Sequence, residues 1–380
     1  MFWFAIVVLG LTVLITFEAL VGNARIGRLV DAPPGAPGSA PRLSVVVAAR
    51  DEERNIATAL QTLLAQDYPD FEVVVVDDRS TDQTGPILDR MAASDSRLRV
   101  IHITDLPPGW LGKNHALHVG AATATGQWIL FTDADVHMHP SSFSRAIRFC
   151  GERGIDHLAI APTLVLPGLL LEGFGVFFLW SFLLFAKPWK ARDPKSWFHV
   201  GVGAFNLVRR SAYQAVDGHR SIRLRPDDDL KLGKILKRAG FRQDALSGTG
   251  LLSVEWYHSL GEMIPAFEKN MFAGVEYSVA LSLAGGLLQL VAGVVPIVAL
   301  GFTTGMTQLL FAAQVGLSLV VFAALARSIK SRPVVALIYP VVVLLFVYIL
   351  WRTMVVNLVS GGIQWRGTFY PLRELKANRI

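Results

Sequence analysis

Trp128-Ile129-Leu130-Phe131-Thr132-Asp133-Ala134-Asp135 is an apolar run that stops abruptly at two carboxylates separated by one alanine. Its length and composition predict a buried strand. In open α/β sheets ligands gather just beyond the carboxyl ends of the strands, and two aspartates delivered there can hold a hard divalent cation against a diphosphate. Asp-rich turns after strands also serve simply as caps, so the motif takes its weight from its surroundings.

Upstream, Leu43 to Ala49 is a continuous apolar run followed by Arg50-Asp51-Glu52-Glu53-Arg54-Asn55 and helical spacing through Leu60, Leu63 and Leu64, which reads as a first β-α unit. A second begins at the β-branched run Phe71 to Val76, ends in Asp77-Asp78-Arg79-Ser80-Thr81-Asp82, and resumes helical spacing at Ile87, Leu88 and Met91. A third strand is expected at Leu98 to Ile103. Gly109-Trp110-Leu111-Gly112-Lys113-Asn114 then opens a helix of small residues through Ala116, Leu117, Ala121 and Ala122. Strands and helices alternating at these lengths predict a parallel sheet covered on both faces.

The order VVAARDEE, VVDDRSTD, GKNHALHVGAATATG, DAD and DDDLKLGKILKRAGF resembles the family 2 glycosyltransferases of the GT-A fold. The resemblance runs from about Leu43 to Asn270, and its nearest flavour is the membrane-attached, lipid-modifying group that includes ceramide glucosyltransferases and hopene-associated glycosyltransferases. It implies an α/β GT-A nucleotide-sugar-binding fold, with a mostly parallel, doubly covered sheet, joined to transmembrane helices.

By the same resemblance Asp78 faces the nucleotide base, with Ala48, Arg50 and Glu52 lining the pocket and Lys113 near base and phosphates. Capping is the competing account of Asp77 to Asp82, strongest for Asp82, and a solvated surface cation is the competing account of Lys113. Asp133 and Asp135 would hold Mg or Mn, neutralising charge on the leaving diphosphate. Zinc is disfavoured, because Cys150 is the single cysteine and no spaced His/Cys cluster exists. His137 and His139 read first as a polar loop before Pro140, with His139 the lesser metal candidate.

A second acidic cluster, Pro226-Asp227-Asp228-Asp229, opens a helical stretch that ends at Gly240. Carboxylates are favourable at a helix start, which accounts for one or two of the three. Aligned back from Ala239-Gly240-Phe241, Asp228-Asp229 matches the family's acidic pair, in which the second residue is the general base. Asp229 is therefore the expected base of an inverting single displacement, beside Asp228. Gly201 to Arg210 reads as a strand lining the sugar and acceptor pocket, with Gly203, Ala204, Asn206 and His219 as substrate-side candidates. The Gln-x-x-Arg-Trp motif of processive synthases is absent, and Phe267-Glu268-Lys269-Asn270 stands in its place, so Lys269 is expected near the diphosphate.

Phe2 to Gly22 is long enough to cross a bilayer and contains one ionisable residue, Glu18. A cleaved signal peptide is the alternative, disfavoured by the length of the run and the lack of a basic segment ahead of it. Arg25 and Arg28 place the adjoining domain in the cytoplasm by the positive-inside tendency. Further spans are expected near Val279 to Gly301, Gln308 to Ala326 and Val334 to Val356. Arg327, Lys330 and Arg332 then fall on the cytoplasmic side, but counting crossings puts Arg366, Arg373, Lys376 and Arg379 outside, against the charge rule. Gly168 to Trp189 is either a span or an interfacial helix bordering the lipid's route. The interfacial reading is preferred, because a single crossing would separate Asp133 from Asp229.

The expected division is a transmembrane anchor over 1–24, a Pro/Gly-rich linker over 25–42, a cytoplasmic catalytic domain over 43–276 with its interfacial helix near 168–189, transmembrane helices over 277–357 and a basic tail over 358–380. The 380 residues are 52% hydrophobic with a net charge of +6. The basic residues flank apolar segments, where anionic headgroups attract them, so nucleic acid is not an expected partner. The chain is expected to sit in the inner or plasma membrane and to move one sugar from a nucleotide sugar, a UDP sugar first, to a lipid. The alternatives are a processive polysaccharide synthase and a catalytically silent scaffold.

Overall fold

The computed structural model describes residues 1–35 and 40–380, and the chain divides into two compact units. One comprises residues 26–163, 188–255 and 378–380. Its main sheet has eight strands, numbered here in chain order: β1 (Gly27–Arg28), β2 (Leu43–Ala49), β3 (Phe71–Asp78), β4 (Leu98–Ile103), β5 (Trp128–Asp133), β6 (His157–Ala161), β7 (Asn206–Arg209) and β8 (Gln243–Ser247). Their spatial order is β1-β8-β6-β7-β5-β2-β3-β4. All neighbours are parallel except β7, which runs antiparallel to both β5 and β6. The mostly parallel, doubly covered GT-A-like sheet expected from the sequence is present.

Burial on both faces explains the unbroken apolar strands. Val45, Val46 and Val47 are all fully buried, as parallel strands covered on both sides require. On one face Leu117 and Ala121 of helix Gly112–Thr123 and Leu232 and Leu236 of helix Asp228–Arg238 pack on Val46, Ile129, Phe131 and Val208. At the start of β3, Phe71 meets Phe143 edge-to-face at 5.7 Å. The strand order reverses at β2, whose neighbours are β3 and β5, so the crevice beyond the carboxyl ends of β2 and β5 is the switch point where such sheets bind ligands. Ala48 and Asp133 sit side by side in register there.

Two local expectations change. The strand expected over Gly201 to Arg210 is confined to Asn206–Arg209, because residues 201–205 bend across the start of helix Asp228–Arg238. The catalytic unit also begins at Ile26 rather than Leu43. β1 extends the sheet beside β8, and the Arg145 guanidinium donates to the carbonyls of Val30 and Ala32. Residues 36–39 of the expected linker lie outside the described residues.

The other unit comprises residues 1–25, 164–187 and 256–377. It holds five helices long and apolar enough to cross a membrane: Phe2–Asn23, Gly168–Lys190, Val279–Leu300, Gly305–Ser328 and Pro333–Val359. Several of its polar groups are paired, as a low-dielectric setting favours. Gln314 donates to the Thr12 hydroxyl at 2.8 Å, Lys187 pairs with Glu18 at 2.7 Å, and Arg332 pairs with Glu172 at 2.9 Å. Outward-facing Leu14, Phe302 and Val320 are exposed, as lipid-facing side chains would be.

Glu72 ties β3 to β2 and to the connection that leads into β5, at the end of the sheet opposite the switch point. Its Oε1 accepts from the Ser44 hydroxyl at 2.7 Å and from the Thr125 N–H and hydroxyl at 2.8 and 2.7 Å. Burial opposes its charge, but these bonds outweigh it and hold the carboxyl below the ordinary range. A lowered folded-state pKa stabilises above the unfolded value and is lost as pH falls through the folded one. Glu72→Gln is therefore expected to cost about 1 kcal/mol near neutral pH, with the difference from wild type closing once pH drops below about 4. Denaturation midpoints across pH check this, and a constant difference at all pH values would contradict it.

Candidate active site

Asp133 ends β5, and the turn after it carries Asp135. Lys113, in the first turn of helix Gly112–Thr123, places its Nζ 2.8 Å from Asp133 Oδ1 and 3.5 Å from Asp228 Oδ1. Two motifs 95 residues apart in the chain thus meet on one ammonium. Burial disfavours the charge on Lys113, but Asp133, Asp228 and Asp229 more than compensate and raise its pKa. It stays protonated throughout the neutral range.

Asp229 is held at both oxygens. Oδ2 accepts from the Gly203 N–H at 2.8 Å and Oδ1 from the Leu230 N–H at 2.7 Å. The glycines of the 201–205 segment make this possible. A Cβ at Gly201 would stand 1.9 Å from the Asp229 carbonyl oxygen, and one at Gly203 would stand 2.7 Å from Asp133 Oδ2. Burial pushes the Asp229 carboxyl up, against the pull of Lys113 and the Leu230 N–H, with Asp133 and Asp227 adding to the rise. Asp135 is pushed up to about 7, first by burial and then by Asp133 and Glu52.

Asp227 is spent on structure. It makes a two-pronged ion pair with buried Arg225 at 2.9 and 3.0 Å and meets Lys231 at 3.4 Å. Ion pairing thus accounts for one aspartate of the three, leaving Asp228 and Asp229 near Lys113. His219 is buried with its Nδ1 2.9 Å from the Tyr213 hydroxyl and its Nε2 4.0 Å from Asp228 Oδ2. Burial, helped by Lys113, lowers its pKa to about 3, so it is a neutral polar neighbour of Asp228 and not a charge partner.

The loops after β2 and β3 are stapled to each other, which sorts their acidic residues. Asp51 accepts from the Thr81 N–H and hydroxyl, Glu53 from the Gln83 N–H, and Asp82 from the Glu53 and Thr84 N–H groups. Asp77 meets His102 at 2.9 Å. Asp51 and Arg79 hold positive φ values of 54° and 59°, strain of the kind that concentrates at functional loops. Asp78 is paired with Arg79 at 2.8 Å and lies 3.8 Å from Arg50. Buried Arg50 Nε has no hydrogen-bond partner among the described residues.

Ala48, Arg50, Glu52, Asp78, Lys113, Asp133, Asp135, Asp228 and Asp229 therefore all fall in the catalytic unit, at or beside the carboxyl ends of β2, β3 and β5. Lys269 belongs to the other unit, its ammonium 4.3 Å from the Trp365 ring centre. His137 meets the Thr58 hydroxyl from the short strand Val136–Met138, not from the polar loop expected there, while His139, just beyond that strand, meets Ser141. Arg225 and Tyr213 escape notice in the sequence, where an arginine before an acidic run and a tyrosine six residues before a histidine carry no signal.

Among the described residues no group of three or more His, Cys, Asp or Glu side chains is arranged to hold a metal ion. The donor chemistry nevertheless suits a hard divalent cation. Burial first, and then the neighbouring carboxylates of Asp133 and Glu52, push Asp135 up to about 7, and Mg characteristically takes one or two carboxylates and completes its shell with water and substrate phosphate.

Residues 44–216 match the family described as glycosyl transferase family 2. The chain is 28% identical over 183 residues to the 4,4'-diaponeurosporenoate glycosyltransferase of Staphylococcus aureus (strain USA300), covering 47% of each chain. It is 24% identical over 237 residues to the enzyme of that name from Staphylococcus haemolyticus (strain JCSC1435), covering 61% of each. The chain thus spans about half the length of the curated relatives it matches. In fold it is similar to a mannosyltransferase of Pyrobaculum calidifontis solved with GDP-Man and Mn2+, with a TM-score of 0.57 and 19% identity over 92% of this chain and 99% of that one. Residues 44–216, within the α/β unit built around Asp133 and Asp229, are thus similar to the family 2 glycosyltransferases, and that unit has a GT-A-like fold.

Proposed function

We propose that the chain transfers one sugar, with inversion, from a nucleotide-sugar donor to a membrane lipid at the cytoplasmic face of the inner or plasma membrane. The observation that carries this reading is the convergence of Asp133 and Asp228 on Lys113, with Asp229 beside them, at the switch point of the sheet. A UDP sugar is the first donor to try. The name of the staphylococcal relatives supports a lipid acceptor.

Asp229 is the general base. Its raised pKa gives it the proton affinity to accept the acceptor hydroxyl's proton, and two backbone N–H groups fix both of its oxygens. As the proton leaves, the acceptor oxygen bonds to the anomeric carbon while the nucleotide diphosphate departs from the opposite face. Lys113 offsets charge on that diphosphate. Asp78, Arg50, Ala48 and Glu52 line the nucleotide pocket. Asp133 and Asp135 would hold Mg or Mn, which when bound neutralises the leaving group.

Chain connectivity supports a membrane-surface site. β6 ends at Ala161 and β7 begins at Asn206, and both belong to one sheet. Helix Gly168–Ala186 therefore leaves that sheet and returns to it, and among the described residues no second apolar helix lies between Lys187 and Phe205. A bare return strand through lipid would leave its backbone unsatisfied. This supports an interfacial reading of the helix.

Nucleotide release by the chain in lipid nanodiscs, with UDP sugars, GDP sugars and lipid extracts, tests the reading. Asp229→Asn is expected to lower turnover about a thousandfold while donor affinity stays within about threefold; full activity in that variant would remove Asp229 from the mechanism. Turnover of the wild type should fall on the acid side as Asp229 takes up a proton in the free enzyme. Mn2+ affinity, read by electron paramagnetic resonance, is expected to strengthen as pH rises through about 7, because the cation must displace the Asp135 proton. Binding indifferent to pH over that interval would take Asp135 out of the ligand set.

A further inference from the structure

Residues 378–380 belong to the catalytic unit although the chain immediately before them does not. Asn378 Nδ2 donates to the Ser221 carbonyl and its Oδ1 accepts from the Leu224 N–H, each at 3.0 Å. Ile380 packs on the cluster that contains Leu117, Ile222, Leu232 and Leu236. The segment they grip runs from Ser221, the end of the short helix Gly218–Ser221, through a turn to Arg225, whose N–H donates to the Ile222 carbonyl at 2.9 Å. Besides the Ser221 hydroxyl, which donates to the Val216 carbonyl at 2.8 Å, the segment is held from the Lys113 side. Asn114 Nδ2 donates to the carbonyls of Ile222 and Arg225 at 2.8 and 2.9 Å, and the Leu111 N–H donates to the Arg223 carbonyl at 2.9 Å. Three residues beyond this segment stands Asp228.

We infer that the tail is a latch on the acceptor-side loop, with Asn378 the positioning residue that sets Asp228 and Asp229 against Lys113, and that the tail lies on the same side of the membrane as the active site. The kinetic half of this rests on the transferase reading; the structural half does not. Asn378 acts through the loop and not on substrate. Its carboxamide closes Ser221 and Leu224 from outside while Asn114 closes Ile222 and Arg225 from within, so the loop is clamped from two sides. The membrane consequence is arithmetic. A chain that leaves the catalytic unit at Glu255 and rejoins it at Asn378 crosses the bilayer an even number of times. Of Val279–Leu300, Gly305–Ser328 and Pro333–Val359, two cross or none does. The basic residues Arg366, Arg373, Lys376 and Arg379 then face the cytoplasm, and the conflict between charge and crossing count disappears.

The test uses the full chain in nanodiscs. Asn378→Ala is expected to lower turnover about tenfold with donor KM within about twofold, and to speed amide exchange at Leu224. Asn378→Asp keeps the acceptor for the Leu224 N–H and is expected to recover part of the turnover. Wild-type turnover and unchanged exchange in Asn378→Ala would overturn the latch. Because exchange needs no substrate, a chain silent toward every nucleotide sugar sinks the transferase reading and leaves the Leu224 result to decide the latch. In sealed vesicles, Lys376→Cys and Arg90→Cys should react with an impermeant maleimide from one and the same side, Cys150 being buried. Labelling from opposite sides would overturn the placement of the tail.

Discussion

Charge balance at the end of β5 is the constraint on which the rest of the catalytic unit depends. Asp133, Asp135, Asp228, Asp229 and Glu52 gather negative charge in a place partly withdrawn from water, which is costly without a counter-charge. Lys113 supplies it from the first turn of helix Gly112–Thr123. That helix cannot slide along the sheet without abandoning the aspartates. The next residue, Asn114, carries the constraint onward by holding the loop that leads to Asp228. A single ammonium and its neighbouring amide thus register the carboxyl end of β5 against the loop that leads to Asp228.

The acidic residues divide into those that build and those that stay poised. Asp51, Glu53, Asp77, Asp82 and Asp227 are consumed by backbone amides, hydroxyls, His102 or Arg225. Satisfied in this way, they stabilise loops. Asp135 and Asp229 have raised pKa values because their surroundings are less accommodating. Groups whose environment is tuned away from their ordinary state are those on which chemistry can draw.

Much of this was legible in the residues themselves. Apolar runs ending in Asp78 and Asp133 announced strands and the edge at which they deliver side chains, since burial on both faces leaves a signal every residue can carry. The start and end of helix Asp228–Arg238 were readable from its acidic first turn and from Gly240. What escaped depends on proximity between distant segments. The Gly201 to Phe205 stretch has strand-like composition, yet the close approach of Asp229 bends it. Arg225 looks ordinary until Asp227 is seen against it. The return of Asn378 to Ser221 and Leu224 spans over 150 residues and leaves no periodicity to detect.

The placement of β7 between β5 and β6 also orders events in time. β5 exposes one edge until Arg209 has been made, because its partner on that side is residues 206–209. By then helix Gly168–Ala186 has already been synthesised. The apolar segment is therefore available to a bilayer before the sheet can close, and an open edge beside β5 is the state in which the nascent chain meets it. A strand edge left unpaired invites association with other chains. The sheet's topology thus makes this domain most vulnerable to misassembly in the interval between the emergence of its apolar helix and the arrival of its antiparallel strand.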